Sequence, residues 1–297
     1  MANREKETVS NPKITIVIGT LNRPNVVMSL IRQLVEESKK NLLEVIVIDQ
    51  STPENYKDLR KNFPEKINFK LTHFDRPNTV KYLNYGWIQA LSPIVLFLDD
   101  DVALTERTIK AHIEAYEDSL VNGVAGRVIN DGEKISRNSN AGSIKWFGAI
   151  MSMNFSFDKE VKVNFPYGCN MSFRKNILKG LKGFDENLLF PSFAYLEADL
   201  GYRLSKKWPK SLLLNPQALV YHHRYKTGGT RNNYSRKEIF HSDQFNYGYF
   251  LGKNFSWTEN SICFLRRLPY QIIKEPKAIP DIFQGFIYGK KIRKKII

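Results

Sequence analysis

Two hydrophobic rhythms alternate along the first 130 residues of the chain. Segments 13–20 (KITIVIGT), 42–49 (LLEVIVID), 67–74 (INFKLTHF), 93–99 (PIVLFLD) and 121–129 (VNGVAGRVI) are short and rich in β-branched and aromatic residues, which predicts strands. Between them, apolar residues recur at helical spacing and predict helices over 24–37, 54–61, 78–91 and 105–117. Pro24 suits a first helical turn, and Thr105 suits an N-cap. Strands apolar on both faces belong in parallel sheets covered by helices on either side. The alternation therefore predicts an α/β fold, Rossmann-like and doubly wound around a mostly parallel sheet. Ligands of such sheets bind outside the carboxyl ends of the strands.

Beyond residue 130 the rhythm loosens. Residues 131–175 read as loops and short strands, 193–206 as a helix, 211–215 and 217–222 as two strands, and 224–233 (RYKTGGTRNN) as a basic, glycine-containing loop. From about 235 the pattern is helical and ends in GKKIRKKII. The expected organisation is a polar tail over 1–11 and one α/β domain with halves at 12–130 and 131–233. A helical, basic extension over 234–297 completes it.

Charge and cysteine usage narrow the partners. Lys and Arg number 45 against 30 Asp and Glu, a formal charge of +15 that favours nucleotides, phosphates, nucleic acid or an acidic membrane surface, with solubility alone as the alternative. No nucleic-acid partner is expected, because no zinc-finger spacing or aromatic RNA-binding signature accompanies the charge. Cys169 and Cys263 form no paired motif, which argues against a disulfide framework or structural zinc and fits a reducing compartment. The N-terminus lacks the apolar core of a signal peptide, and no stretch approaches the ~18–20 apolar residues that span a bilayer. The expectation is a cytoplasmic protein. Its basic tail either lies on the inner face of the membrane or is a solvated end.

Within this basic chain, Asp99, Asp100 and Asp101 stand together where a predicted strand ends. Residues two apart project to one side there, so Asp99 and Asp101 converge while Asp100 points away. Two convergent carboxylates with room for water and phosphate oxygens suit Mg²⁺ or Mn²⁺; a turn or helix cap is the alternative. Asp49 and Gln50 end another strand on the same crevice, either as contacts to a base or ribose or as a capping turn before Pro53. Glu197 and Asp199 lie about 200° apart on a helix and do not both face one substrate. Asp199 also precedes Arg203 by four residues, so a local ion pair competes with a catalytic reading. Strand alternation lets one of His222 and His223 face the crevice, and His222 is preferred.

In this order the segments resemble glycosyltransferase family 2, whose nucleotide-sugar enzymes adopt the GT-A fold. The resemblance covers roughly residues 12–225. It rests on Thr20-Leu21-Asn22-Arg23, Asp49-Gln50-Ser51, Asp99-Asp100-Asp101, GCNMSFRK (168–175), GFDE (183–186) and LEADLGYRL (196–204). It implies an inverting, metal-dependent transfer from a nucleoside-diphosphate sugar to a hydroxyl of a glycan or lipid-linked acceptor, as in cell-surface polysaccharide synthesis. The first half then binds the donor and the second half the acceptor. Thr20, Asn22, Arg23, Asp49, Gln50, Asn78, Asp99, Asp100 and Arg231 fall to the nucleotide sugar. Asp101, Asp99 and His222 fall to Mn²⁺ or Mg²⁺, and Gly168 and Asn170 to the acceptor. Glu197 takes the place of the general base, with Asp199 beside it.

Two positions depart from the family pattern. Gln50 stands where many members carry a second Asp, and an amide both donates and accepts where a carboxylate only accepts. Leu83 precedes Asn84 where an Arg is frequent. These departures are the only hints of a non-catalytic nucleotide binder. A nucleotidyltransferase is the other alternative, but no Gly-rich, Lys-terminated phosphate loop follows the first strand.

Overall fold

The computed structural model describes residues 12–135, 140–146, 150–192, 194–225, 227–229, 233–259, 261–263, 265 and 275–296. The tail over 1–11, Lys226, Arg231 and the basic pair Arg266 and Arg267 lie outside the described residues.

The apolar runs form strands buried on both faces. β1 (Ile14–Thr20), β2 (Leu43–Asp49), β3 (Phe69–His73) and β4 (Ile94–Asp99) lie in the order β3-β2-β1-β4, all parallel. Every residue of β2 is buried, as a strand covered by helices on both sides requires. α1 (Pro24–Glu37), α2 (Pro53–Asn62) and α3 (Thr79–Gln89) connect these strands. α1 buries Val27, Leu30, Ile31 and Leu34, the three-and-four spacing of one apolar stripe, and Pro24 opens it where no N–H is needed.

The sheet continues as β10-β6-β11-β5, through β5 (Val102–Leu104), β6 (Gly123–Asn130), β10 (Asn170–Arg174) and β11 (Leu212–His222), with β9 (Val161–Lys162) also paired to β11 and β7 (Ser143–Ile144) and β8 (Ile150–Ser152) forming a separate pair. β10 runs antiparallel between β4 and β6, and β11 is parallel to β6. The first residue of β10 therefore lies at the edge where β4, β6 and β11 end. Asp99, Asn130, His222 and the segment entering Asn170 meet there, at the carboxyl ends where such sheets bind ligands.

Three local expectations change. The strands expected at 211–215 and 217–222 are one strand, β11, with a register shift between Asn215 and Leu219. Pro216 lies inside that shift, where the absence of an N–H costs no ladder bond. Thr105 is not the N-cap of the next helix: α4 (Thr108–Ala115) starts three residues later. Val102–Leu104 are drawn into β5 against β11, and Thr108 Oγ1 accepts from the Thr105 N–H at 2.8 Å.

α5 (Lys175–Leu181) and α6 (Leu196–Lys207) complete the α/β domain, and α7 (Arg236–Asn254) and α8 (Ile279–Ile296) form the C-terminal extension. Gly248 and Gly252 of α7 meet Gly285 and Gly289 of α8. A Cβ at any of the four would overlap a backbone carbonyl of the facing helix. The extension is also tied to the domain by charge. Lys253, buried on α7, donates to Asp199 on α6 at 2.7 Å and to Asp185 of the GFDE segment at 2.5 Å. Among the described residues no helix is long and apolar enough to cross a membrane.

Candidate active site

A cavity of about 630 Å³ opens at the carboxyl edge of the sheet. Its volume suits a ligand of nucleotide size. Of the residues expected at a site, Thr20, Arg23, Gln50, Asp99, Asp100, Asp101, Gly168, Glu197 and His222 line it. The chain brings them from six separate segments: four lie at the carboxyl ends of β1, β2, β4 and β11, Gly168 lies ahead of the antiparallel β10, and Glu197 comes from α6.

The triple aspartate divides its work. Asp100 is buried and held by both arms of the Arg23 guanidinium, with Nε 2.8 Å from Oδ2 and Nη2 bonded to Oδ1. The Thr20 hydroxyl donates to the same carboxylate at 2.6 Å. Asp100 thus turns its oxygens toward Arg23 and Thr20, and all three line the cavity. Arg23 also reaches Asp101 Oδ2 at 3.2 Å, so one guanidinium fixes two of the three carboxylates.

Asp99 and Asp101 face His222. Its Nε2 lies 3.2 Å from Asp101 Oδ1 and 3.8 Å from Asp99 Oδ2. The ring is oriented from behind, where His222 Nδ1 contacts Asn130 Oδ1 at 2.9 Å. The Asn130 amide donates in turn to the Glu133 carboxylate, which only accepts, and this fixes which end of the amide meets the ring. In the neutral ring, Nδ1 therefore carries the proton and Nε2 presents its lone pair to the aspartates. Asp101 Oδ1 is buried and finds no hydrogen-bond partner among the described residues. Two facing lone pairs 3.2 Å apart repel unless a proton or a cation lies between them. Carboxylate oxygens with an imidazole nitrogen suit Mn²⁺, and Mg²⁺ through the oxygens, so this donor set fits a divalent cation.

Two residues that sequence reasoning missed belong to this corner. One is Asn130, which orients His222. The other is Cys169, whose thiol, with a ligand atom each from Asp99 and His222, forms a trio within 4.8 Å. Its thiol is pushed well above the usual range by burial first, then by the charges of Asp99, Asp101 and Glu197. Neither had a sequence signal, because their partners lie far away along the chain.

Glu197 lies in the first turn of α6 and lines the cavity. The N-cap residue of α6, Tyr195, adopts φ 72, and from the turn that follows, Glu197 reaches the cavity. Its carboxylate rests over Gly168, where any Cβ would overlap Oε1. Burial pushes its pKa up to about 7, opposed by a hydrogen bond from its own backbone N–H and helped by the charge of Asp99. A carboxyl near neutrality is suited to accept a proton at working pH.

Asp199 is elsewhere. It faces the interior, accepting from Arg203 at 2.8 Å, Lys253 at 2.7 Å and Asn254 at 2.9 Å. Against the cost of burial, the charges of Arg203 and Lys253 hold it well below the usual carboxylate range. The ion-pair reading of Asp199 fits this placement, and Asp199 does not line the cavity. Asn170, expected at the acceptor, is fully buried and bonded to His112 at 2.9 Å and to the Ala218 carbonyl at 2.8 Å.

The nucleotide side shows a similar split. Asp49 does not line the cavity; it accepts from the Ser51 N–H at 3.0 Å and its hydroxyl at 2.7 Å, and pairs with His73 at 3.1 Å. Asn22 (φ 55) ties loops together, accepting from the Thr52 N–H at 2.9 Å and donating to Asn233 at 3.2 Å. Asn78 caps α3 through the Lys81 N–H, and its own N–H donates to Gln50 Oε1 at 2.6 Å. None of these three side chains lines the cavity, so each shapes it from behind. Gln50 does line it, with its carbonyl already engaged. Leu83 lines it as well, and the neighbouring Asn84 is bonded to the Phe184 backbone and Glu186. From the glycine loop, Gly228 and Gly229 pack over Leu21–Arg23, at φ 63 and 67.

The model of glycosyl transferase family 2 matches residues 15–181, more than half of the chain. The chain belongs to glycosyltransferase family 2. Solved structures agree on the architecture. GalNAc-T7 with UDP, GalNAc and Mn²⁺ superposes with a TM-score of 0.60 at 15% identity, over 85% of this chain and 53% of that one. This family-2 chain thus spans about half the length of GalNAc-T7. The mannosyltransferase PcManGT from Pyrobaculum calidifontis, in complex with GDP-Man and Mn²⁺, gives 0.54 at 16% identity, over 95% and 76%. S. aureus TarS 1-349 with UDP-GlcNAc gives 0.57 at 15% identity, over 92% and 81%. At such identities the likeness establishes the GT-A fold. No curated protein matches the sequence.

Proposed function

We propose that this chain is an inverting, metal-dependent glycosyltransferase that moves a sugar from a nucleoside-diphosphate sugar to an acceptor hydroxyl. The observation that carries the reading is the arrangement across one cavity. Glu197, with its raised pKa, lines the same cavity as the Asp99, Asp101 and His222 donor set. The nucleotide-sugar and Mn²⁺ complexes of GalNAc-T7 and PcManGT, which share the fold, support the donor class.

Asp101, Asp99 and His222 would hold Mn²⁺ or Mg²⁺. Such an ion, when bound, neutralises charge on the departing nucleoside diphosphate. Arg23, held by Asp100, keeps Asp101 in place, and Gln50 faces the base. Glu197 takes the proton of the acceptor hydroxyl as its oxygen bonds to the anomeric carbon. The bond to the diphosphate breaks, and its electron pair leaves with the nucleotide. One base and no covalent nucleophile gives inversion.

The acceptor is a glycan or lipid-linked saccharide, as in cell-surface polysaccharide synthesis at the cytoplasmic face of a membrane. In support, α8 exposes Phe283, Ile287 and Lys291 at four-residue steps, with Lys294 and Lys295 beyond them. An apolar stripe flanked by cations suits an anionic bilayer surface. Equal sedimentation of wild type and Phe283→Asp/Ile287→Asp with anionic vesicles would end this part of the reading.

The main test is a melting-temperature panel of UDP, GDP and dTDP sugars with and without Mn²⁺, followed by transfer assays. A ligand that binds the folded state raises Tm with its saturation. Glu197→Gln is expected to keep metal-dependent donor binding and lose transfer. Full transfer by that variant would falsify the base assignment.

A further inference from the structure

Cys169 follows Gly168 on the cavity wall, one residue before β10 begins. The antiparallel register of β10 on β4 sets Asn170 opposite Leu98, and the Asp99 N–H donates to the Cys169 carbonyl at 3.3 Å. The last residue of β11, His222, arrives at the same edge. As a result, a carboxylate oxygen of Asp99, the Cys169 sulfur and a ring nitrogen of His222 all lie within 4.8 Å of one another. The imidazole is already turned for ligation, its Nδ1 against Asn130 and its Nε2 inward. Metal-binding histidines are commonly oriented by such a partner on the other nitrogen. A second observation points into the same space: Asp101 Oδ1, buried and without a hydrogen-bond partner among the described residues, lies 3.2 Å from that Nε2. A proton on that nitrogen or a cation between the two atoms would satisfy this oxygen.

We propose that Asp99, Cys169 and His222 form a thiolate-containing site for a borderline-soft divalent cation of the zinc class, overlapping the position that Asp99, Asp101 and His222 offer to a hard cation. One thiolate, one imidazole and one carboxylate leave a fourth position open, the ligand count of zinc sites that keep a coordination position for water or a ligand. Ligand softness separates the two modes. Mn²⁺ and Mg²⁺ favour oxygen, whereas a thiolate favours Zn²⁺, which also stands above Mn²⁺ in general affinity order. On binding, the S–H bond breaks, its proton passes to water, and the sulfur lone pair forms the bond to the metal. The site stands on the ligand set alone, whether or not the cavity takes a nucleotide sugar.

Co²⁺ reports the difference spectroscopically. Added to the full chain, it is expected to give a near-ultraviolet thiolate-to-cobalt charge-transfer band. The band should be lost in Cys169→Ser and His222→Ala, kept in Cys263→Ser, and bleached by Zn²⁺ but not by equimolar Mg²⁺. Co²⁺ binding without that band, or a band that survives Cys169→Ser, overturns the proposal. Because Cys169 is buried and its variant is open to misfolding, zinc-edge X-ray absorption on the wild-type protein gives an independent reading. One sulfur at about 2.3 Å is expected. A shell of oxygen and nitrogen alone overturns the site. Loss of donor binding with the cobalt band intact would count against the transferase reading and leave this one standing.

Discussion

Lys253 Nζ donates to Asp199 Oδ1 at 2.7 Å, joining the C-terminal extension to the helix that carries Glu197. Both groups are buried, and Asp185, Arg203 and Asn254 close the cluster. Removing one partner from a buried ion pair strands the other at a cost of about 3–5 kcal/mol. Lys253→Met is therefore expected to lose that much stability in urea unfolding. Its kcat should fall with the disturbed first turn of α6, while KM for the donor changes little. Unchanged stability would mean that the cluster is solvated and does not fasten the extension.

Gly168→Ala is the sharper probe of the site. The added Cβ overlaps Glu197 Oε1, the free end of a side chain that can swing aside. The fold should lose less than about 1 kcal/mol, as surface-like substitutions do. Displacing the base by about 1 Å should lower kcat on the order of 100-fold. Calorimetric donor affinity should not move. A variant with wild-type kcat would show that Glu197 works from another rotamer.

Glu197 also makes a pH prediction for both rate and stability. A base must be ionised, so kcat/KM should rise with pH and level off above about 7. The carboxyl titrates near 7 in the folded chain and near 4.3 in the unfolded one, so the folded state holds more protons in between. Its favourable contribution is full below about pH 4 and is lost as pH rises through 7. Glu197→Gln should then be more stable than wild type by about 1–3 kcal/mol at alkaline pH, with the difference closing under acid conditions. A difference independent of pH would assign the effect to packing.

The nucleotide question narrows at Gln50. Its Oε1 is occupied by the Asn78 N–H at 2.6 Å, which orients the amide so that its NH₂ is left to meet a ligand. A base carbonyl is the matching group. Gln50→Leu should weaken nucleotide binding by about 1–2 kcal/mol, the worth of one buried hydrogen bond. Gln50→Glu should weaken it further, because an acceptor replaces the donor. Equal affinities across the three proteins in titration calorimetry would remove Gln50 from base recognition.

Sequence made the parallel half legible because each of its strands is a nearly unbroken apolar run between helical patterns. It failed where tertiary pairing overrides local signal. Pro216 reads as a strand break, yet it lies in a register shift within β11. Val102–Leu104 read as the approach to a helix, yet they pair with β11. Within the triple aspartate, alternation set Asp100 apart from Asp99 and Asp101, but nothing local revealed that Arg23 would close on it. Asp199 and Glu197 were separable only as two faces of one helix. Lys253, which settles where Asp199 faces, lies 54 residues on. Cys169 and Asn130 act with His222, 53 and 92 residues away, and no spacing rule connects such distances.

The inverted strand β10 has a consequence for how this enzyme can diversify. Because β6 leaves the sheet and β10 enters it at the same edge, the chain between Asn130 and Gly168 starts and finishes beside the cavity, while Val161–Lys162 pair with β11 and Phe155, Val163 and Phe165 are buried in the core. Its two ends are pinned, one by the contact of Asn130 with His222 and the other by the seat that Gly168 makes for Glu197. Those buried positions tie the segment to the core, so variation that leaves both anchors intact is confined to its remaining, exposed positions.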